Sequence, residues 1–209
     1  MRLLGCFLAI PVALAGLCPQ PVLARDALVS QRSQFAQAAT CFVRYAARAS
    51  ADVLAKPMYS SQQLRAAKSL LEGNFSCLRD KDAVAIRDDI FYGELAAALL
   101  AHDPMLLDRL ANMPSQAPLR PAPGLDASEF INAFGECLVR AEPQKSAALL
   151  KSERGSTAER EAVLAYGDTL SACTATDIAY HMNIPDLRAH IAISAYRLAT
   201  GIDAVAAKG

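Results

Sequence analysis

Three observations predict an all-α fold made of two tandem copies of one helical unit, each of about four helices and each stapled by a disulfide. Apolar residues recur at helical spacing almost throughout, and no segment alternates with period two over a strand's length. Cys41 and Cys77 stand 36 positions apart, and so do Cys137 and Cys173. Sliding the chain by 96 positions then lays Cys41-Phe-Val-Arg44 on Cys137-Leu-Val-Arg140, Leu54 on Leu150 and Ser60-Ser61 on Ser156-Thr157. Shared spacing of cysteines, caps and apolar positions is the mark of an internal repeat.

The first 24 residues read as a secretory signal peptide: Arg2 begins it, Leu3 to Leu17 is apolar, and Val22-Leu23-Ala24 is a small-residue cleavage pattern. The apolar stretch is short of the roughly 20 residues that span a bilayer, and Pro11, Pro19 and Pro21 disfavour an anchor helix. Leu17 stands where a bacterial lipidation signal before Cys18 would place a small residue. The expected location is therefore periplasmic or secreted, with no transmembrane segment in the mature chain. Cleavage removes Cys6 and Cys18 and leaves Cys41, Cys77, Cys137 and Cys173 for an oxidising compartment. Two connectivities respect the repeat. Pairing within each copy is preferred, because a module duplicated whole carries its own staple, and closing such a loop stabilises each half by just under about 4 kcal/mol.

The first unit, residues 25–113, opens with Phe35, Ala39, Phe42, Val43 and Ala46 on one helical face, beside Cys41. The second, residues 126–201, repeats this with Phe130, Ile131, Phe134 and Leu138 beside Cys137. Pro143 starts a short helix through Leu149-Leu150, whose counterpart ends at Val53-Leu54. A third helix begins at a capping box in each copy, Ser60 to Gln63 and Ser156 to Glu159, in which a hydroxyl accepts from the amide three residues on and the Gln or Glu reaches back. The last helix carries Phe91, Leu95, Ala98 and Leu99 in one copy, with Asp88-Asp89 in its first turn, and Leu187, Ile191, Ser194 and Ala195 in the other, with Pro185 at its start and Gly201 at its stop. Four prolines, Pro114, Pro118, Pro121 and Pro123, make residues 114–125 an extended linker. Residues 202–209 read as a frayed tail.

The stretch Phe134-Gly-Glu-Cys-Leu-Val-Arg140, with Ala147-Ala-Leu-Leu150, the Ser156-Thr-Ala-Glu159 cap and Cys173, resembles a group of secreted proteins of sphingomonad-type alphaproteobacteria that carry one or two Cys-x-Val-Arg repeats. The resemblance covers nearly all of the mature chain. It implies an exported helical protein and carries over no catalytic residue. The first copy departs from the pattern, with Thr40 in place of the acid before the cysteine and Ala47 in place of Pro143.

Formal net charge is zero over the whole chain, and no basic stripe with interleaved aromatics is present, which excludes a nucleic-acid partner. His102, His181 and His190 lack metal-ligand spacing, so neither a metal nor a cofactor is expected. His102 reads as a partly buried histidine on an apolar helix face. His181 is the better candidate for chemistry, as the base of a periplasmic hydrolase. No Gly-x-Ser-x-Gly, Cys-x-x-Cys or phosphate-cradling glycine loop appears.

Arg44 and Arg140, each three positions past a cysteine, are the matched polar residues that call for explanation. Either they anchor a carboxylate on a partner, or each bonds carbonyls at its own helix's C-terminus. The expected function is a non-catalytic exported scaffold or interaction module for another envelope protein or peptide. A hydrolase using His181 and an apolar-ligand binder between the repeats are the alternatives.

Overall fold

The computed structural model describes residues 21–78, 88–174 and 182–202, and among these it is helical with no strand. The signal-peptide reading therefore falls largely outside the described residues. The elements run α1 (Pro21–Ala55), α2 (Ser61–Gly73), a single 3-10 turn (Phe75–Cys77), α3 (Asp88–His102), α4 (Pro104–Ala111), α5 (Ala127–Ala141), α6 (Pro143–Lys151), α7 (Thr157–Leu164), α8 (Asp168–Cys173) and α9 (Ile184–Thr200).

The two halves keep the 96-residue register at their element boundaries, since α3 and α9 begin at matched positions. Pro143 lacks an amide donor and restricts the residue before it, so the backbone leaves helical geometry at Glu142 (φ −132, ψ 59) between α5 and α6. Its counterpart Ala46 breaks α1 in nearly the same way (φ −145, ψ 46) although no proline follows. Tertiary packing imposes the break there.

Ser60 and Ser156 cap α2 and α7 identically, each accepting at 3.1 Å from the amide of Gln63 or Glu159. The buried Gln63 and Glu159 side chains reach back 2.7 Å, to the amide of the residue before the cap, Tyr59 or Gly155. Both of those residues have positive φ (58 and 74), which costs Gly155 nothing and strains Tyr59.

The disulfides join Cys41 to Cys77 and Cys137 to Cys173, both across a sequence separation of 36. Each ties the first helix of its half to the turn that follows the capped helix.

At the centre α3 packs on α9, with α1 flanking α3 and α5 flanking α9. Small residues permit this: a Cβ on Gly93 of α3 would overlap Ala189 of α9, and one on Gly135 of α5 would lie 2.7 Å from the Ser194 hydroxyl. Gly93 and Ala189 occupy the same register position in their respective halves, so the two last helices cross at equivalent points. Contacts between equivalent residues are the signature of an approximate two-fold relation. Phe42, Leu95, Phe130, Leu138 and Ile191 are sealed in the resulting core.

Helix α4 lies outside the matched scheme. Asp103 caps it, Pro104 starts it, and Leu107 and Leu110 are buried as it packs against α6 and α9. The proline-rich stretch after it is irregular, and the Gln116 amide donates to the Arg140 carbonyl at 2.9 Å. Among the described residues no single helix is long and apolar enough to cross a membrane; α3 and α4 meet that criterion only as a pair bent by 97°. Most of α3 is buried inside the protein.

Candidate functional site

Residues of α1 at i, i+1, i+4, i+5, i+8 and i+9 share one helical face, and here they are Ala36, Gln37, Thr40, Cys41, Arg44 and Tyr45. With Arg154, from the loop between α6 and α7, they line an open groove of about 450 Å³. Arg154 is fixed by Glu94 of α3: its Nε donates to Oε1 at 3.0 Å and its second amine lies 2.5 Å from Oε2. That carboxylate is 5% exposed, so the pair joins the two halves through a partly desolvated contact. Tyr45 stands 72% exposed at the groove's edge.

Arg44 and Arg140 share a register position but not an environment. Arg140 Nε donates to Glu136 Oε1 at 2.7 Å, one turn back on the same helix. Thr40 occupies the place of Glu136 beside Arg44, and its hydroxyl turns back to donate to the Ala36 carbonyl at 2.8 Å. The expectation that each arginine bonds its own helix's terminal carbonyls is therefore corrected for Arg140, whose nearer partner is a carboxylate. Those carbonyls are served from elsewhere. Arg188 of α9 donates to the carbonyls of Leu149, Leu150 and Ser152 at the end of α6. Arg197, nine positions further along the same helix, donates to Leu54 and Lys56 at the end of α1. Arg109 of α4 in turn donates to the Ala199 carbonyl at 2.7 Å.

Arg188 also lies 3.3 Å from Glu159, with side chains 4% and 2% exposed, so a buried ion pair caps α6. The first half solves the same problem without charge, because Gln63 donates from Nε2 to the Val53 carbonyl. Nearby, Ser146 and Tyr166 share a buried hydrogen bond of 2.8 Å, and burial pushes the Tyr166 phenol well above its usual value. Glu142 is held below the ordinary carboxylate range, first by its contact with Lys145 and also by the Thr169 hydroxyl, which donates to it.

The histidines separate. His102 is exposed at the end of α3, not partly buried as its sequence position suggested, because the chain turns away there into α4. His190 is 3% exposed within α9. His181 lies outside the described residues. Among the described residues no three His, Cys, Asp or Glu side chains converge to hold a metal ion. An apolar ligand between the halves would need room that the Gly93 and Ala189 contact denies at that crossing.

Of the residues singled out from the sequence, the structure thus brings Arg44 into a groove and leaves Arg140 paired away from it. Sequence reasoning missed Glu94, Arg154 and Arg188. A signal existed for two of them: Glu94 and Arg188 are charges within the apolar faces of α3 and α9, a placement that demands a buried partner. Comparison with protein-family models, with curated proteins and with solved structures returned no match to this chain.

Proposed function

We propose that this chain is exported to the periplasm or beyond and serves there as a non-catalytic helical scaffold that binds another envelope protein or a peptide. The observation that carries the reading is the asymmetry at Arg44: the second half neutralises its matched arginine internally through Glu136, whereas the first presents its own on an open groove. Two disulfides suit an oxidising compartment, and the apolar leader before Ala24 supplies the route. A relationship to the Cys-x-Val-Arg proteins named above belongs to the same proposal.

The test is expression of the full chain in a Gram-negative host. The expected result is periplasmic protein beginning at Arg25, without free thiols, that turns over none of a panel of ester, amide and glycoside substrates. Cytosolic retention would remove the export reading. Turnover abolished by His181→Ala would replace the scaffold with a hydrolase.

A further inference from the structure

We infer that the groove along α1 receives an acidic side chain from a partner's peptide segment, with Arg44 as its principal anchor; this rests on the interaction-module reading above.

Three differences between the halves point the same way. The acid is gone, since Thr40 replaces Glu136 and bonds only to its own helix. A second cation is added, because Arg154 reaches the first half's groove while the residue in its register there is Met58. An exposed ring is added, because Tyr45 stands where the other half has the buried Ala141. Each change alone is a surface substitution. Together they convert an internally paired helix face into a cationic one with an aromatic edge.

The second half also supplies the geometry of the occupied state. There a carboxylate one helical turn before the arginine meets its Nε at 2.7 Å. A ligand carboxylate entering above Thr40 meets Arg44 in the same way. Glu94 already offsets Arg154, so the groove carries one net positive charge and calls for one carboxylate. The groove is open along the helix and would expose most of a free small acid to water. A segment with an apolar or aromatic residue beside its Asp or Glu covers Tyr45 as well, and such an amphipathic ring is a favoured anchor at interfaces.

Selection from a random-peptide display library on the full, disulfide-bonded protein tests this. Enriched peptides are expected to carry Asp or Glu next to an apolar or aromatic residue. Arg44→Gln should weaken them at least about tenfold, the scale of one charge-assisted hydrogen bond. Thr40→Glu should do the same by rebuilding the internal pair of the second half, and its unfolding curve should match the parent's, which separates occupancy from misfolding. Arg140→Gln should leave affinity within about twofold. Peptides that bind equally well to the Arg44→Gln and Thr40→Glu proteins would overturn the groove while leaving an interaction module in place. Displacement of the peptides by free glutamate at similar concentration, or a selection that enriches nothing, would overturn the peptide occupant.

Discussion

Replacing Arg188 with methionine should be among the most destabilising single changes in the protein. Its guanidinium serves the carbonyls of Leu149, Leu150 and Ser152, the Ser152 hydroxyl and the Glu159 carboxylate. Methionine preserves most of the buried stem and removes every donor. The Glu159 side chain is only 2% exposed, so the substitution strands a carboxylate away from water and reopens the end of α6. Breaking a buried pair from one side costs about 3–5 kcal/mol. For a domain of this size that lowers the melting temperature by about 6–20 °C. The first half shows how to repair it, since Gln63 donates to Val53 with no charge present. Adding Glu159→Gln to Arg188→Met removes the stranded charge and offers a neutral donor toward Leu149. The double variant should then lie only about 1–2 kcal/mol below the parent, the cost of the remaining terminal carbonyls. Urea and thermal unfolding followed by circular dichroism at pH 7 measure all four corners of the cycle. A loss under about 1 kcal/mol for Arg188→Met, or a double variant no more stable than the single, would refute the account.

Gly93→Ala should destabilise by about 1–3 kcal/mol or more, because the new methyl meets Ala189 backbone and side chain where α3 crosses α9, while Gly73→Ala, in open space near the end of α2, should be neutral or mildly stabilising; denaturant midpoints decide this. Tyr166 stays protonated in the folded protein above pH 10, where the unfolded chain loses its proton, so the folded state binds more protons and stability falls as pH rises. Tyr166→Phe should cost about 1 kcal/mol at pH 7 through the lost Ser146 bond, and the deficit should shrink at pH 11 as the parent weakens; a constant deficit across that range would contradict the burial of the phenol.

Much of the architecture was legible because its signals are short-range. Ser60 and Ser156 cap through an amide three residues away, Pro143 forces a break within one turn, and Gly201 stops α9 with φ 74. The capping pattern misled only in detail: the returning Gln63 and Glu159 bond the residue before the cap, which the positive φ of Tyr59 and Gly155 makes reachable. Helix α4 was equally readable from Asp103-Pro104 and its spaced leucines but lay beyond the repeat that organised the reading.

What the sequence by itself determined, then, is the set of helices, their caps and the pairing of cysteines within each half, all consequences of contacts a few residues long or of equal spacing. Only the tertiary structure decided which distant groups meet. The break at Ala46 follows from packing, since no local residue demands it. Arg140 takes Glu136 while Arg188 and Arg197 reach across to close the ends of α6 and α1, because a long flexible cation pairs with whichever acceptors the packed helices bring within its reach. Arg44 and Arg154, far apart in the chain, share a groove because packing sets the loop before α7 beside α1, with Glu94 of α3 holding Arg154 in place. No periodicity encodes that meeting, because it depends on the relative placement of whole helices.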